Sequence, residues 1–192
     1  MNPSTIHWNT IKYLFKYLQG TKNLGITYDA VGGKAKIHAT GFSDANWASN
    51  PFDQKSISGT TFLLGGGAII WSSRKQSIVT QSSMEVEYIA ANSVTHNAVW
   101  LWELLTQLGF PQKNPADLFV DNQSAIRLAN NPEFHQRSKH VDIKYHYIHN
   151  IIMRGDLLVH WCHTTEQTAD ILTKGLDSIK FRLFRQDLGM LV

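Results

Sequence analysis

The sequence predicts an α/β fold, a mixed five-stranded sheet with helices packed on both faces. Three observations lead there. Short apolar runs separated by glycine turns fill the middle of the chain and read as an antiparallel meander. Beyond them helical and extended patterns alternate, the order expected when later strands join the sheet in parallel. With 43% apolar and 17% charged residues among 192, the chain can bury a sizeable core, and its composition argues against disorder.

The elements follow in order. Pro3 to Gln19 puts Trp8, Ile11, Phe15 and Leu18 on one helical stripe, with Lys12 and Lys16 elsewhere. Gly20 is expected to stop that helix, Lys22 to Tyr28 to be a short extended stretch, and Gly32-Gly33 to be a turn. Lys34 to Asp44 and Ser58 to Leu64 read as strands, Gly65 to Gly67 as a hairpin connection without the lysine of a phosphate loop, and Ala68 to Ser73 as a third strand. From Glu87, residues Ala91, Val94, Ala98, Leu101, Leu105 and Leu108 form one core-facing stripe, which Gly109 and Pro111 end. Asp117 to Asp121 is a short buried strand, Asn122 to Asn130 a helix, and Val141, Tyr145, Ile148 and Ile152 a further helical face ending near Gly155. Leu157 to Cys162 is the fifth strand, Glu166 to Leu176 a helix, and Asp177 to Leu188 an amphipathic basic tail. Trp47, Trp71, Trp100 and Trp102 are expected to pack inside.

Charge and cysteine content narrow the class. Eighteen basic against fifteen acidic residues leave a net charge of +3, far from a polycation. The single cysteine, Cys162, excludes an internal disulfide framework and a cysteine-rich zinc module, and fits a reducing compartment. The apolar runs are too short to span a bilayer and the N-terminus shows no secretory cleavage pattern, so a soluble, intracellular protein with no membrane partner is expected.

Glu87 is the residue out of place, because it lies on the stripe that its helix turns towards the core, whereas Glu85 points nearly the opposite way. An ionised carboxylate facing inward is costly unless it is paired, hydrogen-bonded or bound to a metal. Asp44 stands where the first meander strand ends, Asp121 where the fourth strand meets its helix, and Asp170 in the first turns of the last core helix. Singly these read as a turn residue or a helix cap. Together, at the ends of adjoining elements, they could form one cluster of hard oxygen ligands suited to Mg²⁺ or Mn²⁺. Two such ions can activate water and stabilise a leaving oxygen in phosphodiester cleavage.

The blocks Ser43-Asp44-Ala45-Asn46-Trp47-Ala48, Ser56-Ile57-Ser58-Gly59, Trp71-Ser72-Ser73-Arg74-Lys75-Gln76 and Gln81-Ser82-Ser83-Met84-Glu85-Val86-Glu87-Tyr88 occur in that order. Asp121-Asn122-Gln123-Ser124-Ala125, Lys139-His140-Val141-Asp142-Ile143-Lys144-Tyr145-His146 and Ala169-Asp170-Ile171-Leu172-Thr173-Lys174 continue the series. This succession, over about residues 41–176, resembles the ribonuclease H region of copia-type (Pseudoviridae) retrotransposon Pol polyproteins. The opening, with His7-Trp8 and Tyr17-Leu18-Gln19-Gly20-Thr21, is similar to the segment that follows reverse transcriptase in them. The resemblance implies three parts: a joining segment over 1–33, a ribonuclease H domain over 34–176 and an amphipathic tail over 177–192.

It also implies hydrolysis of the RNA strand of an RNA–DNA hybrid with two Mg²⁺ ions, Mn²⁺ serving as substitute, during retrotransposon reverse transcription. Carried over, Asp44 would bridge both metals, and Glu87, Asp121 and Asp170 would complete the set, with Asn46 outside it. His163 is a candidate for the mobile histidine that assists proton transfer or product release in such enzymes, and equally reads as a surface residue. Partners would be the hybrid and the reverse transcriptase domain of the same polyprotein, in the cytoplasm or in a virus-like particle. Arg137, Lys139, His140 and Lys144 are candidates for phosphate contacts, or else a solvated face. Asp142, His146 and His149 share a helical face but lack an evident fourth zinc ligand. Alternatives are a non-catalytic hybrid-binding or connection module, and another nuclease on the same fold such as an integrase. Setting aside the four carboxylates leaves 18 basic residues against 11 acidic ones, a basic body around an acidic pocket.

Overall fold

The computed structural model describes residues 2–28, 38–131 and 147–191. Helix α1 spans Thr5–Thr21 and strand β1 Gly25–Ile26. The meander is β2 (Thr40–Asn46), β3 (Ile57–Leu64) and β4 (Gly67–Lys75), followed by the long helix α2 (Ser83–Gln107). Then come β5 (Ala116–Val120), α3 (Gln123–Asn130), helix α4 over 147–153 and β6 (Leu157–Trp161). A 3-10 helix, Thr168–Leu172, precedes α5 (Ser178–Asp187) and β7 (Met190–Leu191).

The five-stranded sheet has the order β4-β3-β2-β5-β6, antiparallel within the meander and parallel from β2 to β5 and from β5 to β6. This is the mixed sheet that the alternating pattern predicts. Gly65 and Gly66 take positive φ (59° and 82°) in the β3–β4 turn, and Gly109 (87°) stands just past the end of α2, conformations natural to glycine.

Alternation along the strands assigns the two faces. A Cβ at Gly41 would meet Phe62 and Val94, so these lie on the α2 side. There Phe62, Val94, Leu118, Ile148 and Leu157 are fully buried in one core, each contributing about 1.5–3 kcal/mol of hydrophobic stabilisation. A Cβ at Gly59 would instead meet Thr173, Ala169 and Leu172, so the 3-10 helix packs on the opposite face. Asp44 pairs with Gly59 and shares that side.

Several local expectations change. The expected helix over Glu166–Leu176 is a short 3-10 helix, because Gln167 and Thr173 spend their side chains on the sheet instead of on a helical face. Gly20 lies within α1, not beyond it. Trp47, Trp71 and Trp100 are exposed, and the Trp47 indole donates to the Thr80 carbonyl. The basic tail docks: α5 buries Phe184 completely, and β7 pairs antiparallel with β1 through Gly25↔Leu191 and Ile26↔Met190. Among the described residues no helix is long and apolar enough to cross a membrane.

Candidate metal centre

β2, β5 and β6 are parallel, so their carboxyl ends lie at one end of the sheet, where sites in such sheets form. Asp44 is near the end of β2, Asp121 directly follows β5, and α2 starts over the same end and carries Glu87 in its second turn. Ser82 caps α2 by accepting from the Glu85 amide, and Asn122 caps α3 by accepting from Ala125, which leaves Asp121 free of a capping role.

One oxygen from each of Asp44, Glu87 and Asp121 lies within 4.8 Å of the others. Asp44 and Glu87 are buried and Asp121 is half-buried. Glu87 faces inward as its helical stripe predicts, whereas Glu85 turns out to accept from the Gln81 amide. Burial, reinforced by the charges of Asp44 and Asp121, pushes the Glu87 carboxyl up to about 9 although the Ala45 amide bonds it. Burial likewise lifts Asp44 to about 6, against the pull of the Thr173 hydroxyl and the Lys174 ammonium. Glu87 Oε2 is buried without a hydrogen-bond partner. Three converging carboxylates, one of them with an orphaned buried oxygen, and no thiolate make a donor set that fits a hard divalent cation.

Asp170, fully buried in the 3-10 helix, is close to this group but is held by two lysines, Lys174 (2.8 Å) and Lys180 of α5 (2.6 Å). Thr173 donates to Asp44, and Gln167 donates to the Ser43 carbonyl (3.0 Å), so the 3-10 helix is pinned to β2 beside the carboxylates. Asn46 adds a bond to the Thr173 carbonyl (3.2 Å).

No family model matches the chain. It is 38% identical over 189 residues to the retrovirus-related Pol polyprotein from transposon RE2 of Arabidopsis thaliana, covering 98% of this chain and 13% of that protein. It is equally 38% identical over 189 residues to that from transposon TNT 1-94 of Nicotiana tabacum, covering 98% and 14%. Over nearly its whole length the chain is therefore similar to one stretch of copia-type retrovirus-related Pol polyproteins. It spans about one-seventh of the length of these Pol relatives. Among solved structures, LC11-RNase H1, isolated from compost by a metagenomic approach, matches at a TM-score of 0.54 and 16% identity, over 71% of this chain and 93% of that one. The same protein in complex with an RNA/DNA hybrid matches at 0.51 and 14%, over 70% and 93%. The fold of this chain is therefore that of ribonuclease H.

Against that family, Asp44, Glu87 and Asp121 come together as the sequence suggests, while Asp170 stands beside them in its lysine pairs. His163 is exposed on the loop after β6, its Nδ1 2.8 Å from the Thr165 hydroxyl. Its neighbour Thr164 donates to Asp121 Oδ2 at 3.2 Å, so His163 adjoins the centre without touching it. Arg137, Lys139, His140 and Lys144, with Asp142 and His146, lie outside the described residues. Sequence reasoning assigned no role to Lys174, Lys180, Thr173 or Gln167. Lys174 and Thr173 end the Ala169–Lys174 block and so carried a signal; Lys180 sits in the supposed tail and carried none. Cys162 is buried and its thiol is pushed up to about 12, chiefly by burial, so it is inert as a nucleophile at neutral pH.

Proposed function

We propose that this chain is an endoribonuclease that hydrolyses the RNA strand of RNA–DNA hybrids with two Mg²⁺ ions during retrotransposon reverse transcription. The observation that carries the reading is the convergence of Asp44, Glu87 and Asp121 at one end of a ribonuclease H sheet, with Glu87 Oε2 buried and unpartnered. The hybrid bound in the LC11-RNase H1 complex supports the same substrate class here.

In this reading Asp44, Glu87 and Asp121, joined by Asp170, hold the cations. When bound, the ions supply water activation and stabilise the departing oxygen in an in-line displacement. The Thr173 hydroxyl orients Asp44, and the Thr164 hydroxyl orients Asp121. Water oxygen joins the phosphorus, the bond to the 3′-oxygen breaks, and the proton ends on that oxygen, leaving a 5′-phosphate and a 3′-hydroxyl. His163, exposed on the loop beside Thr164, would assist proton transfer or product release. Residues 1–33 would connect the domain to the reverse transcriptase of the same polyprotein, and Arg137, Lys139, His140 and Lys144 would contact the hybrid's phosphates.

The test is Mg²⁺-dependent release of RNA fragments from a labelled hybrid. Asp121→Asn should abolish cleavage while its circular dichroism matches the parent. Undiminished cleavage by that variant sinks the mechanism, and tight hybrid binding without cleavage at any Mg²⁺ or Mn²⁺ concentration favours a connection module instead.

A further inference from the structure

The oxygens of Asp170 are divided between two ammonium groups. Lys174 Nζ lies 2.8 Å from Oδ1 and Lys180 Nζ 2.6 Å from Oδ2. Lys174 also lies 3.6 Å from Oδ1 of Asp44, whose Oδ2 is taken by the Thr173 hydroxyl. The Lys174 ammonium thus stands between Asp44 Oδ1 and Asp170 Oδ1, the two oxygens that a divalent ion shared by these carboxylates would need. An ammonium and a hard dication cannot share that position. Around Glu87 and Asp121 the arrangement is different, because no lysine lies within ion-pair distance of either carboxylate among the described residues. Between Asp44 and Asp170 the chain's own cation takes the position a second ion would need.

We propose that Lys174 is an internal counter-ion that makes divalent ions load in order, first at Asp44, Glu87 and Asp121, and only then, with Lys174 displaced, between Asp44 and Asp170. This rests on reading the carboxylates as a metal centre. The side chains suit such an exchange. Lys174 is 35% exposed and has a flexible stem with a way out to solvent. Lys180, projecting from α5, grips the Asp170 oxygen that does not face Lys174 and can remain in place through the exchange. Before loading, Lys174 also offsets part of the charge of two carboxylates that are almost wholly buried, which would be costly left unpaired.

The experiment is a Mn²⁺ titration of the 192-residue chain without nucleic acid, following free Mn²⁺ by electron paramagnetic resonance. The parent should bind one ion at least about tenfold more tightly than the second, a coupling of ordinary size. Lys174→Gln should tighten the second ion about tenfold and the first by no more than about threefold, while Lys174→Arg should leave the second ion weak. A second measurement uses the parent alone: acylation of the Lys174 amine, read by mass spectrometry, should accelerate several-fold as the second ion binds, and this does not depend on the variants folding. Unchanged second-ion affinity in a folded Lys174→Gln, equal tightening of both ions, or acylation indifferent to Mn²⁺ overturns the proposal. Absence of Mn²⁺ uptake by the parent and both variants instead overturns the metal-centre reading itself.

Discussion

Replacing Glu87 by glutamine should stabilise the metal-free chain, and the size of the effect follows from proton linkage. Burial, then the charges of Asp44 and Asp121, raise the Glu87 carboxyl from its ordinary 4.5 to about 9, and the residue is only 6% exposed. At neutral pH the folded chain therefore keeps a proton that the unfolded chain has released. The native state binds more protons throughout this window, so Glu87's contribution is most favourable below 4.5 and is lost as pH rises towards 9. Protonating a group of ordinary value 4.5 at pH 7 spans about 2.5 pH units at about 1.4 kcal/mol each, or about 3 kcal/mol. That cost is independent of the folded value as long as it stays above neutrality. Glutamine keeps the shape and an acceptor for the Ala45 amide, but has no proton to acquire. Urea unfolding in EDTA at a series of pH values is the assay. The variant should be about 3 kcal/mol more stable than the parent at pH 7, and the gap should close as the pH falls towards 4.5. On the proposed metal-centre reading, saturating Mg²⁺ should reverse the order, since an ion bound to the native state of the parent would replace the proton. A variant no more stable than the parent at pH 7, or a gap indifferent to pH, refutes the reasoning.

Two further predictions concern other parts of the fold. In Gly59→Ala the new methyl would stand 2.6 Å from Thr173 Cγ2 and 2.8 Å from the Ala169 carbonyl, so the 3-10 helix must move off β3, at a cost of about 1–3 kcal/mol. Urea unfolding reads that loss, and on the proposed function hybrid cleavage should fall with it, because Asp170 and Thr173 ride on the displaced helix. On β5, burial pushes Asp117 up, but hydrogen bonds from His38 (2.6 Å) and His160 (2.7 Å) outweigh it and hold the carboxyl below its ordinary 3.8. The stability this gives is present above 3.8 and is lost as pH falls through the lowered value, so Asp117→Asn should cost up to about 1 kcal/mol near neutrality and nothing in strong acid, measured by thermal unfolding.

What the sequence reveals depends on whether the signal is periodic. The stripe from Glu87 to Leu105 marks α2, although its expected last member, Leu108, lies past the helix end and is exposed; that periodicity is enough to separate Glu87 from Glu85. Short extended runs and the Gly65-Gly66 turn place the meander with similar security. Periodicity says less about what a face meets. Trp8, Ile11, Phe15 and Leu18 do form a helical stripe, yet no residue of α1 is buried, because a stripe predicts a helix and not its partner. It fails where polar contacts set the shape. Gln167 donates to the Ser43 carbonyl and Thr173 to Asp44, bonds spanning more than a hundred residues, and they hold the 166–176 stretch as a 3-10 turn. Lys180 illustrates the same limit, since only the docking of α5 brings an ordinary basic residue onto a buried carboxylate.

The site is under electrostatic strain by construction, and its relief takes a different form at each carboxylate. Burying three acidic groups and half-burying a fourth at one end of a sheet is unfavourable unless each is neutralised or solvated. Glu87 is neutralised by a retained proton, Asp170 by two ammonium groups, and Asp44 by a hydroxyl and a share of Lys174. Asp121 keeps partial contact with solvent and the Thr164 hydroxyl. A proton, an ammonium group and water are each things that a divalent cation can displace. None of these arrangements requires the backbone to move: Glu87 and Asp44 are set by α2 and β2, which pack directly on one another, and Asp170 is pinned through Gln167 and Thr173. Cation binding can then be a local exchange on a rigid frame, with affinity set by what is expelled at each oxygen. The lysine-filled position should therefore be the one through which metal occupancy responds to the electrostatics of α5 and of the 3-10 helix, while the Glu87 position responds to pH.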